Sequence, residues 1–231
     1  MALLEVDSVD TYYGESKILE DVSMDVGVDE VVAIIGRNGV GKTTLMRTAL
    51  QLTPPREGAV RFKGVDVTGS DTNEVADMGM GWVPEDRRPF TQLTVEENLR
   101  ISVKEGDVDE KVEEAFDTFP LLTDSRNDKA NRLSGGEQQM LAMARGLIGD
   151  NDLLLVDEPT EGLSPIVVEE ITGALEDASQ DTSLVVIEQS LSLALELADR
   201  YYLLDNGRVV AQGETEGLNE ESEELMEHLR V

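Results

Sequence analysis

The stretch EVVAIIGRNGVGKTTL, residues 30–45, restricts the fold more than any other part of the chain. Residues 30–36 are a continuous apolar run that stops at glycine, which reads as a buried strand. KTTLMRTAL (42–50) has helical character. Between them GRNGVGKTT (36–44) fits the pattern of a loop that wraps phosphates. Gly36, Gly39 and Gly41 let the backbone turn tightly and aim its N–H groups at phosphate oxygens, and the start of the following helix adds a positive dipole end. Lys42 is placed to reach the β- and γ-phosphates of a nucleotide, and Thr43 to ligate Mg²⁺. Asn38 and Thr44 lie in the same stretch and join the candidate nucleotide-binding set. A glycine-rich strand-to-helix turn without a ligand is the plain alternative; the strand before and the helix after are the context that phosphate binding requires.

The rest of the chain repeats the alternation. DLLLVDE (152–158) and SLVVIE (183–188) read as buried strands, each followed by a helical stretch. Such alternation predicts a mostly parallel α/β sheet. Ahead of it, LLEV, ILEDVSMDV and the hairpin-like GAVRFKGVDVT predict antiparallel strands flanking the N-terminal part. MGMGWVPE (78–85) is a further strand candidate. The region from about 94 to 131 reads as helical and charged, an insertion in the α/β pattern. RYYLLDNGRVVAQG (200–213) reads as a hairpin turning at Asn206-Gly207, and a helix is expected to close the chain. The expected organisation is one domain over 1–231, with a helical subdomain at about 86–150 inserted in the core.

The second core strand ends in two acids. Asp157, beside the phosphate loop, suits hydrated Mg²⁺, and Glu158 suits the polarisation of an attacking water. Solvated acids at a strand end are the alternative. Glu188 and Gln189 raise the same question at the third strand, because polar groups buried without partners cost roughly 1–3 kcal/mol each.

Asp and Glu number 49 against 19 Lys and Arg, a net charge of −30 spread along the whole chain. Such a surface repels itself at low ionic strength and is tolerable where salt is high; it is read here as adaptation to a salty cytoplasm. It argues against nucleic acid as a direct partner. The absence of cysteine excludes disulfides and thiolate chemistry. No apolar run approaches the roughly 18 residues of a membrane span, and the N-terminus lacks the basic region of a signal peptide. A cytoplasmic protein, tied to a membrane only through partners, is expected.

LSGGEQQ (133–139) decides the class. Ser134, Gly135 and Gly136 open a helix, a ready anion site, with Ser134 and Glu137 also able to form a capping box. Together with the phosphate loop and the Asp157–Glu158 strand, this resembles the signature of ABC-transporter nucleotide-binding domains, over nearly the whole chain. The resemblance implies an ABC ATPase fold of the P-loop NTPase class and an ATP-hydrolysing enzyme with ATP and Mg²⁺. It also implies a head-to-tail dimer in which Ser134, Gly135, Gly136 and Gln138 meet the nucleotide of the opposite subunit. It places Tyr13 against adenine, Glu158 as base with Lys42 and Gln189 near the γ-phosphate, and Thr43, Asp157 and Glu85 around the metal. LTVEENL (93–99) resembles the start of the helical subdomain that touches membrane subunits.

Three departures from the general pattern narrow it. Glu85 stands for the usual Gln, Pro165 for the usual Asp, and Gln189 for the usual His. VPE-x-RR-x-F, GLSP and IEQ together resemble one ATPase of a branched-chain amino-acid importer pair. That implies a related second ATPase, two permeases, indirectly a solute-binding protein, and a peripheral place on the cytoplasmic face of the membrane. A urea-importer ATPase and an ABC ATPase serving a soluble scaffold such as iron–sulfur assembly are the alternatives. The single histidine, His228, is expected at the surface.

Overall fold

The structure is a computed structural model that describes residues 2–87, 89–219 and 222. The expected closing helix and His228 lie outside the described residues. Strands β1 (Leu4–Tyr13) and β2 (Ser16–Val26) pair antiparallel. They are longer than their apolar runs suggest, because β1 continues through Asp7, Ser8 and Asp10. Register shifts between Val6 and Val9 and a left-handed φ of 48° at Ser8 mark a bulge there. After β3 (Val31–Ile35) and α1 (Lys42–Ala49) come β4 (Glu57–Phe62) and the short β5 (Val65–Asp66). The four antiparallel strands form one sheet in the order β2-β1-β4-β5.

Helix α2 (Thr72–Asp77) precedes β6 (Met80–Val83). From there to β7 (Leu153–Asp157) the described residues form only helices and loops. These are α3 (Val95–Arg100), α4 (Val108–Thr118), two 3₁₀ turns at Pro120–Ser125 and Ala130–Arg132, and α5 (Gly135–Leu147). Then α6 (Pro165–Ala178), β8 (Ser183–Glu188), α7 (Leu191–Leu197), β9 (Arg200–Asp205) and β10 (Arg208–Glu214) complete the described elements. The β9–β10 hairpin turns at Asn206 and Gly207, both left-handed with φ of 45° and 75°, as a tight hairpin turn requires.

The second sheet runs β10-β9-β3-β8-β7-β6. All its pairings are parallel except the terminal hairpin. Alternate residues of its central strands enter two different cores. Val31, Ala33 and Ile35, with Leu154, Val156, Leu184 and Val186, pack among α4, α5 and α6. Val32 and Ile34, with Leu153, Leu155, Val185 and Ile187, pack against α1 and the antiparallel sheet. Both faces are covered, which is why these strands read as unbroken apolar runs. The mostly parallel α/β core with an N-terminal antiparallel sheet is as expected. The parallel strands deliver Gly36, Asp157 and Glu188 to one edge, the carboxyl end, where sheets of this kind hold ligands.

Candidate nucleotide site

The loop between β3 and α1 is shaped by close approach. A Cβ on Gly36 would stand 2.4 Å from the Leu204 carbonyl oxygen on β9, and Gly41 takes φ 112° beside Leu19. Only glycine meets both demands without strain. Lys42, the first residue of α1, is 4% exposed. Its ammonium donates to the carbonyls of Gly36 (2.7 Å) and Arg37 (3.2 Å) and pairs with Glu158 Oε1 at 3.1 Å.

Glu158 sits one residue past β7, its N–H donating to the Ile187 carbonyl at 3.0 Å. Its φ of 46° is left-handed, a conformation that costs a non-glycine residue about 1–3 kcal/mol and gathers at functional sites. The turn swings the carboxylate back toward Lys42. Asp157, the last residue of β7, is 1% exposed, and neither of its carboxylate oxygens has a hydrogen-bond partner of good geometry. Burial pushes its pKa up to about 6; the nearby Thr43 hydroxyl and Lys42 oppose the shift, and the charges of Glu158 and Glu85 reinforce it.

A cleft of about 480 Å³ opens over this loop, with Tyr13, Ile18, Asn38, Gly39, Gly41, Lys42, Thr43, Thr44, Glu85, Glu158 and Glu161 on its walls. Tyr13 stands at the mouth, 43% exposed. Carboxylate oxygens of Glu85, Glu158 and Glu161 come within 4.8 Å of one another. Glu161 was not singled out in the sequence. Its carboxyl pKa is raised by the hydrogen bond and charge of Glu158. The available signal was its place three residues after Glu158 in a loop returning past the strand ends.

The remaining candidates lie elsewhere. Ser134 caps α5, its Oγ accepting from Glu137 N (3.3 Å) while Glu137 Oε2 accepts from Ser134 N (2.8 Å). The capping box is therefore real. Gly135 faces Arg87 and Gly136 packs on Val167, and Gln138 donates to the carbonyls of Ala130 and Leu133. None of these four lines the phosphate-loop cleft of its own chain. Glu188 is 3% exposed and turns inward: Thr160 Oγ1 donates to it at 2.8 Å and Ser190 N at 3.4 Å. Gln189 is exposed and does not line the cleft.

A buried lysine after a glycine-rich loop, an orphaned aspartate and a strained glutamate stand together here, and residues 19–161 match the family described as ABC transporter. The chain belongs to the ABC transporter family. It is an ATP-binding subunit of that family and an ATPase. It is 39% identical over 212 residues to the high-affinity branched-chain amino acid transport ATP-binding protein BraG of Pseudomonas aeruginosa, covering 90% of this chain and 91% of that one. The probable branched-chain amino acid transport ATP-binding protein LivF of Archaeoglobus fulgidus is 36% identical over 231 residues, covering 98% and 95%. Among solved structures, the dimeric ATP-binding cassette MJ0796 in a post-hydrolysis state with ADP and Pi superposes with TM-score 0.83 at 26% identity, covering 93% of this chain and all of that one. Among the described residues no helix is long and apolar enough to cross a membrane.

Proposed function

We propose that the chain is the ATP-hydrolysing subunit of an importer for branched-chain amino acids. Lys42 binds the β- and γ-phosphates, Glu158 is the base that polarises the attacking water, and Tyr13 stacks on adenine. The observation that carries the chemistry is the juxtaposition of Lys42 and the strained Glu158 on the cleft wall with the orphaned Asp157 buried beside them. Thr43, Asp157 and Glu85 would hold Mg²⁺. An oxygen-only donor set with a buried carboxylate lacking a partner suits a hard divalent cation, which would supply charge neutralisation at the phosphates.

The Ser134 helix start, away from its own cleft, suits a role toward the nucleotide of a second subunit. A related ATPase as that subunit, two permeases and an indirect link to a solute-binding protein complete the reading, with the chain on the cytoplasmic face of the membrane. Support for the amino-acid class comes from the relatives above and from Glu85, Pro165 and Gln189. The whole chain acts as one nucleotide-binding domain with residues 86–150 as its helical subdomain, and the −30 charge suits a salty cytoplasm.

Glu158→Gln tests the chemical core. It is expected to keep ATP binding and lower hydrolysis by roughly 10²–10⁴-fold, the worth of a positioned base. Full turnover by this variant, assembled with its permeases, would remove Glu158 from that role. Uptake of radiolabelled leucine by the reconstituted complex tests the substrate class, and ATPase activity unresponsive to leucine-loaded binding protein would count against it.

A further inference from the structure

The turn that carries Tyr13 is held by two arginines, and both are unusual for this chain. In so acidic a protein a guanidinium would be expected to find a carboxylate. Among the described residues neither Arg47 nor Arg56 lies within ion-pair distance of one. Arg47, on the last turn of α1, instead donates from Nη1 to the Tyr13 hydroxyl at 3.2 Å. Arg56, just before β4, donates to the Gly14 carbonyl and lays its guanidinium over the Tyr12 ring, 4.3 Å from the centroid. Its own N–H donates to the Asp10 carbonyl at 2.8 Å.

The hydrogen bond has a geometric consequence. Tyr13 lies at the exposed end of β1, where packing alone does not fix its ring. A hydroxyl tied to α1 fixes the far end of the ring relative to the helix that begins with Lys42. Arg47 lies five positions after Lys42 on α1, so one rigid helix sets the distance from phosphate site to ring. Only a ring held in register with the phosphates can accept the base of a nucleotide without further ordering cost.

We propose that Arg47 is a positioning residue that sets the Tyr13 ring as the platform for the nucleotide base, with Arg56 bracing the turn behind it. This rests on the reading of Tyr13 as the base platform, and the experiment separates the two. Binding of MgATP and of magnesium tripolyphosphate, which carries no base, is measured on the full chain for Arg47→Ala, Arg47→Lys and Tyr13→Ala. Tyr13→Ala is expected to weaken MgATP by roughly 5–50-fold, the scale of losing one base stack, and to leave tripolyphosphate unchanged. Arg47→Ala is expected to weaken MgATP by about 3–10-fold, the scale of one ordinary intramolecular hydrogen bond, again without effect on tripolyphosphate. Arg47→Lys should recover part of the loss. If Tyr13→Ala shows the base-dependent loss and Arg47→Ala does not, or if Arg47→Ala weakens both ligands equally, the positioning role is wrong. If Tyr13→Ala changes neither ligand, the platform reading itself fails.

Discussion

Asp157 and Glu188 end neighbouring parallel strands and are almost equally buried, at 1% and 3% exposure. Their surroundings are opposite. Glu188 accepts hydrogen bonds from Thr160 and Ser190, so its burial is compensated by the loop that follows β7. Asp157 has no such partner. Burial raises the pKa of both, with the nearby Thr43 hydroxyl opposing the shift at Asp157 and the hydrogen-bonded Thr160 hydroxyl opposing it at Glu188. The difference teaches that burial alone does not separate a structural carboxylate from a ligand-holding one. What separates them is whether the fold itself supplies donors.

The contrast breaks most visibly through substitution. Glu188→Ala leaves the Thr160 hydroxyl and the Ser190 N–H without their acceptor. It should cost about 2 kcal/mol, a drop of about 4–8 °C in melting temperature for a chain of this size. Asp157→Asn should do the reverse at pH 7 without metal, stabilising by about 1–2 kcal/mol because an uncompensated charge is removed. Paired melting curves decide this; two destabilised variants would show that Asp157 is satisfied after all.

A smaller effect appears on titration. The folded chain holds the Asp157 proton up to about pH 6, whereas the unfolded chain releases it near 3.8. Between those values the fold binds more protons, so this carboxyl's contribution to stability falls as pH rises. The difference between Asp157→Asn and the parent chain should therefore grow from pH 4 to pH 6 and then level off. Mg²⁺ should shrink it at pH 7. A difference independent of pH would locate the effect elsewhere.

The smallest change expected in this contrast is its response to salt. Raising KCl to molar levels shortens the screening length to about 3 Å and should raise the melting temperature of the parent chain as surface repulsion falls. The gap between the two buried-carboxylate variants should stay nearly constant, since neither group faces the electrolyte. A parent melting temperature that is flat or falls with salt would contradict the adaptation to high salt.

Asp157 and Glu188 also mark where the sequence stops being legible. Both strands read as apolar runs closing on acids, and the parallel pairing of β7 with β8 brings both ends to one sheet edge. Periodicity locates such residues, but it does not say whether a hydroxyl from another loop arrives to partner them. Thr160 reaches Glu188 across 28 positions. For the same reason Glu161 went unnoticed, since its neighbours Glu85 and Glu158 meet it only through the folded sheet. Gln189, expected to face the γ-phosphate, lies exposed just past the inward-turned Glu188. Local features fared better. The Ser134 capping box and the Asn206-Gly207 turn depend on residues three apart or adjacent, and both could be read directly. The bulge at Ser8 hid the true length of β1 by interrupting its alternation.

An ammonium group has three protons, and those of Lys42 already face three acceptors: two loop carbonyls and Glu158. A phosphate oxygen cannot simply be added to that set; it must take a proton position from one of the three. Affinity at this lysine is therefore an exchange equilibrium, in which the outgoing acceptor matters as much as the incoming one. If the carboxylate is the acceptor displaced, the arrival of the substrate and the release of the group that attacks it through water become a single event, an interlock between recognition and reaction. An amide competes for an ammonium less well than a carboxylate does. The Glu158→Gln chain should then hold ATP more tightly than its parent, even though the altered atom need never touch the nucleotide.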